Sequence, residues 1–187
     1  MFQQRLDYFR IRRPLQTFNQ RYYANYNFVT DNTSVAAAVI YIGGESPLTK
    51  GKGGDLKSFD IMGEVAKKYN APVFSLEHRF YGESQPFSDL KTENLAYLSS
   101  QFAIQDLVNF IFQTDKSLCK VTQIPGKTCM KWMIAGGSYA GAVAAWITQQ
   151  HPHLFAATIS ASGVVDARFE IPEFDTHTLE AAGTPCS

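Results

Sequence analysis

The segment GGSYAG, at residues 136–141, places a serine among small residues directly after an apolar run. Gly136, Ser138 and Ala140 have the spacing of the G-x-S-x-G turn, with alanine in the place of the last glycine. That turn joins a strand to a helix so tightly that larger side chains two positions before or after the serine would collide with both elements. It exposes the serine hydroxyl at a helix N-terminus, where free N–H groups stabilise a developing oxyanion. The pattern predicts nucleophilic attack by Ser138 on an acyl group, with the N–H of Tyr139 as the first oxyanion donor. The alternative is an ordinary strand-to-helix turn in which the serine caps the helix.

Two further segments carry groups that such a reaction could use. GGE at residues 43–45 and EHR at residues 77–79 each follow an apolar run. The candidate groups are the N–H of Gly44 as second oxyanion donor, Glu45 or Glu77 as the partner of a substrate amine, and Arg79 as the partner of a substrate carboxylate. In the alternative, Glu77 and Arg79 pair with each other or with other groups of the protein. The residues alone do not decide between these interpretations.

Alternating apolar runs and amphipathic segments must hold these groups in place. Strands are predicted at residues 35–42, 72–76, 132–135 and 155–160, with one or two more in the aromatic stretch 16–29. Helices are predicted at residues 59–69, from 99 or 100 through 112, and at 139–150. Strands that alternate with helices form a mainly parallel sheet, so the predicted fold class is α/β. The three candidate loops all follow strands, and the carboxyl ends of parallel strands meet at one edge, which predicts a single site there.

The composition excludes some kinds of partner. Lys and Arg together number 17, as do Asp and Glu, and no basic cluster is present, which argues against nucleic acid. No apolar run reaches the roughly 18 residues that a membrane span needs, so no membrane partner is predicted. The opening MFQQRLDYFRIRRP lacks the apolar segment of a signal peptide, so either the protein is made without one or the chain begins after it. No metal and no cofactor are predicted.

Three cysteines leave the cellular compartment open, and their spacing matches no zinc or redox motif. Cys119 and Cys129 bracket a loop that contains a proline and a glycine, so a local disulfide between them is one interpretation. Cys186 would then be left over. The other interpretation is three free thiols in a cytosolic protein. Asn32 begins the sequence Asn-Thr-Ser, a glycosylation acceptor that favours secretion, although such sequences also occur by chance.

Several motifs occur in the order in which one known family has them. They are QRLDYF at residues 4–9, QRYY at 20–23, IGGE at 42–45, EHRFYGES at 77–84, YLSS at 97–100 and GGSYAG at 136–141. On these motifs the sequence resembles the serine peptidases related to lysosomal Pro-Xaa carboxypeptidase, dipeptidyl peptidase II and thymus-specific serine protease. The pair EHRFYGES and GGSYAG is specific to this family, and Ala140 is most similar to its thymus-specific branch. Tyr8 stands where the family usually has histidine.

The resemblance implies an α/β-hydrolase fold that carries an inserted helical domain. Residues 1–165 would then be the N-terminal part of the hydrolase domain, and residues 166–187 the start of the inserted domain. It also implies cleavage on the carboxyl side of proline near a peptide end. The expected partners are therefore peptide substrates, and a homodimer is an open option for the full-length protein. The implied location is lysosomal, vacuolar or secreted.

In this fold the serine is followed along the chain by a triad Asp and His. The resemblance places both beyond Ser187, so the chain is expected to be the N-terminal part of a longer protein and, without a base, nearly inactive alone. Substitutes within the chain are weak candidates. They are His78, which precedes the serine and belongs to the EHR motif, His151 and His153 at the far end of the helix at 139–150, His177 in an irregular tail, and Asp166 as a possible triad acid.

Two other functions remain open at this point. One is a lipase or esterase of the same fold, against which the EHRFYGES motif favours a peptidase. The other is a catalytically inactive truncated product that binds peptides, which the missing Asp and His favour.

Overall fold

The computed structural model of the chain describes residues 1–10, 14–30, 35–48, 61–119 and 128–183. The strands, in chain order, are β1 (Phe2–Arg5), β2 (Thr17–Gln20), β3 (Tyr22–Asn25), β4 (Ala37–Ile42), β5 (Val73–Leu76), β6 (Lys131–Gly137) and β7 (Phe155–Ala161). The helices are α1 (Ile61–Lys68), α2 (Thr92–Leu95), α3 (Ser100–Leu118), α4 (Tyr139–Gln150) and α5 (Pro172–Ala182), and a 3-10 turn at Pro152–Leu154 follows α4. Two predicted features, the glycosylation site at Asn32 and the third cysteine, Cys186, lie outside the described residues.

Five strands form one sheet in the order β3-β5-β4-β6-β7. Only β3 runs antiparallel to its neighbour, and the other three strand pairs are parallel, so the predicted mainly parallel α/β class is confirmed. β1 and β2 form a separate antiparallel pair. The strands predicted at 35–42, 72–76, 132–135 and 155–160 correspond to β4 to β7, and the stretch 16–29 contains β2 and β3.

The sheet buries apolar residues on both faces. Successive residues of β4 alternate between two clusters: Ala38, Ile40 and Ile42 belong to the larger one and Val39 to the smaller. The larger cluster packs the sheet against α3 and α4, and the smaller packs it against α1. A central strand covered on both sides has few polar positions, which explains the continuous apolar run that predicted it.

The longest helix, α3, begins at the predicted place and ends later than predicted. Ser99 caps it, because the Ser99 hydroxyl accepts a hydrogen bond from the N–H of Phe102 at 3.4 Å. The helix continues to Leu118, six residues past the predicted end at 112. Its last turn places Asp115 in the core, and that carboxylate accepts hydrogen bonds from the N–H of Cys129 and from the indole of Trp132.

A disulfide joins the end of α3 to the segment before β6. Cys119 and Cys129 are bonded, with their Cα atoms 6.4 Å apart. The disulfide and the Asp115 carboxylate therefore act on the same short stretch and fix where β6 starts. β6 is the strand that leads into GGSYAG.

The last described part of the chain packs loosely on the rest. β7 is the outer strand of the described sheet, and four of its seven residues are exposed. α5 has no buried residue, and the side chains of Phe169 and Phe174 are fully or largely exposed. The division into a hydrolase part, 1–165, and an inserted domain from 166 stays a prediction. None of the helices that the structure describes has the length and apolar character required to cross a bilayer.

Candidate active site

Ser138 occupies a strained turn between β6 and α4. Its backbone has φ 56° and ψ −128°, a region that non-glycine residues rarely adopt and that costs of order 1–3 kcal/mol. Two hydrogen bonds hold it there: the Ser138 N–H donates to the carbonyl of Ala161 at 2.9 Å, and the N–H of Ala142 donates to the Ser138 carbonyl at 3.1 Å. The Ser138 side chain does not cap the helix, and the residue is exposed. The strained backbone thus places an exposed serine at the N-terminus of α4.

The small residues around Ser138 are required by close backbone contacts. A Cβ on Gly136 would overlap the carbonyl group of Ala140, and a Cβ on Gly141 would lie 2.7 Å from the carbonyl oxygen of Ala161. At Gly137 the nearest atom would be 3.9 Å away, which is an ordinary contact. The crowded positions are therefore 136 and 141. This explains why alanine fits at position 140, where the usual pattern has glycine.

The loops that the sequence singled out meet Ser138 at one edge of the sheet. In the strand register, Tyr41 lies opposite Ala135, and Gly137 lies opposite Ala161. The Gly43 N–H donates to the carbonyl of Leu76 at 2.9 Å, so it is already used. Gly44, the predicted second oxyanion donor, is the next residue along the loop. A side chain on Gly44 would meet nothing within 4 Å, which is consistent with open space beside it.

Tyr139 and Glu45 lie near each other at this edge. Burial raises the pKa of the Tyr139 phenol to about 12, and the negative charge of Glu45 adds to the rise. The phenol is therefore neutral at physiological pH. Glu45 itself is exposed, so solvent can reach it, and its charge acts on the Tyr139 phenol.

His78 supports Tyr139 rather than Ser138. Its Nδ1 lies 2.7 Å from the carbonyl oxygen of Arg79, and because a carbonyl only accepts, Nδ1 carries the proton. Nε2 then accepts a hydrogen bond from the Tyr139 hydroxyl at 3.0 Å. The imidazole ring also packs against Tyr81, at 5.3 Å between ring centres. Burial lowers the pKa of His78, so the neutral form that accepts from Tyr139 is the favoured one.

Glu77 and Arg79 correct the sequence interpretation of both residues. One interpretation had them bind substrate, and the alternative had them pair with each other or with other groups of the protein. The structure agrees with the last of these, because both side chains are buried and each has a different internal partner. Glu77 pairs with Arg21. Arg79 forms a two-point ion pair with Asp106, with both N–O distances 2.7 Å and side-chain exposures of 0% and 1%. Their burial and internal bonding leave Glu45 as the exposed one of the three predicted charged contacts.

Sequence reasoning missed these two partners, Arg21 and Asp106. Asp106 carried a signal, because it is a charged residue among the apolar positions of α3, and Ala103, Leu107 and Phe110 beside it are buried. A carboxylate on the buried face of a helix predicts an internal cation. Arg21 carried none beyond its place in the QRYY motif.

The weaker candidates stay away from Ser138. His151 and His153 contact each other at the other end of α4, with ring centres 6.2 Å apart. His177 lies on the exposed α5, and Asp166 pairs with Arg168 at 2.7 Å. Among the residues that the structure describes, no histidine or carboxylate forms a hydrogen bond with the Ser138 hydroxyl. One group there has metal-ligating side chains close together, namely Asp115, Cys119 and Cys129, and its sulfur atoms are used in the disulfide.

Solved structures with a similar fold are α/β-hydrolases. A monoacylglycerol lipase of Paleococcus ferrophilus matches 88% of this chain and 51% of its own, with TM-score 0.50 and 14% identity. A thioesterase domain from the curacin biosynthetic pathway matches 86% of this chain and 50% of its own, with TM-score 0.51 and 13% identity. At these identities the likeness shows the fold, which is of the α/β-hydrolase type as expected.

Several curated relatives match the chain at higher identity. Human lysosomal Pro-X carboxypeptidase is 31% identical over 171 residues, which cover 88% of this chain and 31% of the relative. Human thymus-specific serine protease is 33% identical over 161 residues, covering 86% and 29%. A serine protease of Bipolaris victoriae, vicPa, is 30% identical over 186 residues, covering 99% and 34%. The chain thus spans about a quarter to a third of the length of the curated relatives it matches.

The family model described as serine carboxypeptidase S28 matches residues 4–182, which include both the EHR loop and the Ser138 turn. With a serine turn of nucleophile geometry, an α/β-hydrolase sheet and relatives that are serine proteases, the chain belongs to the S28 family of serine peptidases.

Proposed function

We propose that Ser138 is the nucleophile of a peptidase that cleaves after proline near one end of a peptide. The observation that carries this proposal is the exposed Ser138 hydroxyl, held at φ 56° at the N-terminus of α4. The Ser138 side chain does not cap α4, so capping does not explain its strained backbone. Strained backbone of this kind is concentrated at active sites. The preference for proline is supported by the name of one relative, the lysosomal Pro-X carboxypeptidase.

In the proposed reaction, the Ser138 oxygen attacks the scissile carbonyl carbon, and the carbonyl oxygen becomes an oxyanion. The N–H groups of Tyr139 and Gly44 donate to that oxyanion. The intermediate then expels the leaving amine and forms an acyl-enzyme, which water hydrolyses. A base must take the serine proton and later give it to the amine. We assign that base to a histidine, oriented by an acidic residue, outside the described residues.

The charge at the site supports recognition of a substrate amine. Glu45 is exposed beside Tyr139, whereas Glu77 and Arg79 are buried in ion pairs. A carboxylate there would attract the positively charged amino terminus of a peptide, and cleavage two residues on would release a dipeptide ending in proline. The competing mode, release of the residue after proline from the carboxyl end, is supported by the Pro-X carboxypeptidase relative and would need a cation that receives the terminal carboxylate.

The Cys119–Cys129 disulfide supports a location in an oxidising compartment, because cytosolic thiols are kept reduced. We propose that the protein is lysosomal, vacuolar or secreted, in line with the lysosomal relative.

A fluorophosphonate probe, which reacts with activated serines, tests the nucleophile. We expect strong labelling when the chain is part of a longer polypeptide that supplies the base, weak labelling of the 187-residue chain alone, and none in a Ser138→Ala variant. Labelling that survives Ser138→Ala would exclude Ser138 as the nucleophile. Strong labelling of the chain alone would exclude a base outside it.

Substrate assays distinguish cleavage near the amino end from cleavage near the carboxyl end of a peptide, and a peptidase from an esterase. A peptide with a free amine and proline second should be cleaved. Glu45→Gln should raise the KM of that peptide about fivefold and leave the KM of an N-acetylated version unchanged, since an exposed charged pair is worth about 1 kcal/mol. An unchanged KM for the free amine would refute the role of Glu45. Faster cleavage of an aryl ester than of any proline peptide would favour an esterase instead.

A further inference from the structure

The Glu77 carboxylate, at the end of β5, collects donors from three separate parts of the chain. Oε1 accepts from the side chain of Arg21, which reaches it with two nitrogens, and from the backbone N–H of Leu48 at 2.9 Å. Oε2 accepts from the N–H of Glu83 at 3.1 Å and from the Ser84 hydroxyl at 2.6 Å. The side chain of Glu77 is fully buried, so these bonds replace its hydration completely.

Oε1 of Glu77 holds the end of the loop at residues 43–48, which contains Gly44, the candidate second oxyanion donor. The loop leaves β4 at Gly43, whose N–H donates to the carbonyl of Leu76. It is held again at Leu48, whose N–H donates to Glu77. Gly44 lies between these two attachments. The position of its N–H is therefore set at one end by the backbone of β5 and at the other end by the Glu77 carboxylate.

Oε2 of Glu77 holds the end of a second loop, which runs from His78 to Ser84. This loop is strained, because Phe80 has φ 67°, and its N–H donates to the carbonyl of Ser84 at 2.8 Å. It delivers His78 to the hydroxyl of Tyr139, whose N–H is the first oxyanion donor. The bonds from Glu83 and Ser84 to Glu77 hold the far end of this loop in place.

Two neighbours of Glu77, Gly82 and Arg21, suit a carboxylate at position 77. A Cβ on Gly82 would overlap Oε1 of Glu77, so glycine leaves room for the oxygen. Arg21 supplies the compensating charge and also pairs with Glu83 at 3.0 Å. An amide in place of the carboxylate would turn an NH₂ group toward donors that need an acceptor, so glutamine cannot satisfy both loops.

We propose that Glu77 is a positioning residue that holds the two loops beside Ser138 and so places both oxyanion donors, Gly44 directly and Tyr139 through His78. This proposal rests on the proposed function of Ser138. Glu77 does not touch substrate; it acts through the loop that ends at Leu48 and the loop that ends at Ser84. Binding of a substrate amine was one interpretation of this carboxylate and internal pairing was the other; its contacts agree with internal pairing.

The test compares Glu77→Gln with Asp106→Asn, a matched control. Both changes remove a buried carboxylate paired with an arginine. Asp106 bonds to the side chain of Arg79, near the start of the second loop, and to Gln20, but it does not share the bonds by which Glu77 holds Leu48 and the far end of the second loop. Hydrogen exchange is measured on the 187-residue chain, where it needs no activity. Glu77→Gln should speed exchange of the Leu48 and Glu83 amides at least tenfold relative to the core strands, and Asp106→Asn should not.

The second readout is fluorophosphonate labelling of the longer polypeptide, analysed as a maximal rate and a half-saturating concentration. Because loss of a single oxyanion donor costs about 10² to 10³ in rate, Glu77→Gln should lower the maximal rate at least tenfold with little change in half-saturation. Asp106→Asn should lower stability and leave the rate per folded molecule unchanged. Equal rate losses in both variants would reduce Glu77 to a structural role and overturn the proposal.

A milder variant covers the case in which Glu77→Gln does not fold. Ser84→Ala removes one donor to Oε2 and leaves Leu48 bonded to Oε1. It should speed exchange at Glu83 and leave the Leu48 amide unchanged; unchanged exchange at Glu83 would contradict the proposal. If the wild-type polypeptide is never labelled at Ser138, the proposed function fails, while the exchange measurements still decide whether Glu77 holds the loops.

Discussion

Replacing Arg79 by methionine removes half of a buried ion pair, and the loss can be estimated from the contacts. Arg79 meets the Asp106 carboxylate through two bonds of 2.7 Å, with both side chains essentially inaccessible to water. Leaving one charge of such a pair alone costs about 3–5 kcal/mol. The buried carbonyl of Leu6 also loses its donor, at about 1 kcal/mol more. We therefore expect Arg79→Met to lower the free energy of unfolding by about 4–6 kcal/mol, a large share of the roughly 5–15 kcal/mol of a typical domain.

The assay is urea denaturation followed by tryptophan fluorescence, since Trp132 lies in the core. The double variant Arg79→Met/Asp106→Leu is the control, because exchanging a buried ion pair for apolar residues of similar size is often neutral. It should regain most of the loss. A loss below about 1 kcal/mol in Arg79→Met would refute the reasoning, because a solvent-exposed pair has that value. Retained stability with weaker binding of peptides that have a free carboxylate would instead restore Arg79 as a substrate contact.

Two further predictions concern the serine turn and its support. Gly136→Ala should lower the free energy of unfolding by at least about 1–3 kcal/mol and abolish labelling of Ser138, because its Cβ overlaps backbone atoms. Gly137→Ala, whose Cβ would have no atom closer than 3.9 Å, should change neither stability nor labelling, and equal effects at the two glycines would contradict this account. Burial lowers the pKa of His78 below its ordinary value of about 6.5, so its contribution to stability is complete above that pH and is lost as the pH falls through the lowered pKa. Unfolding measured from pH 7.5 to pH 5 should therefore show a steeper loss for the wild type than for His78→Asn, and parallel curves would exclude His78 as the cause.

The sheet was predictable because its strands are defined by local apolar patterns. The run at 35–42 became β4, and the run at 132–135 became the centre of β6. β1 was not predicted, because its segment FQQR has no apolar alternation. Gln4 is buried there through polar contacts, with its amide donating to Gln20 at 2.6 Å and to the carbonyl of Asp106 at 3.0 Å. A strand buried by hydrogen bonds to distant residues leaves no periodic signal.

The serine turn was also predictable, because its backbone shape demands small residues close in sequence. The roles of Glu77 and Arg79 were not, since their partners lie far away along the chain: Arg21 precedes Glu77 by 56 residues and Asp106 follows Arg79 by 27. A charged residue after a strand has the same appearance in sequence whether it faces a ligand or the interior. The structure distinguishes the two, because it shows that Glu77 and Arg79 are buried and bonded to groups of the protein itself.

The exposed outer strand β7 has a consequence for how the chain behaves in concentrated solution. Its sequence, FAATISA, contains neither a charged residue nor a proline, the two kinds of residue that most often keep edge strands apart. In the part of the chain that the structure describes, no strand lies beyond β7. Alternate residues of β7 point their N–H and carbonyl groups outward there, and these groups form a template on which a second copy could add its own edge. We therefore expect the outer edge of β7 to limit the colloidal stability of the 187-residue chain. A single lysine at an exposed position of that strand, such as Ala157→Lys, should reduce association through this edge.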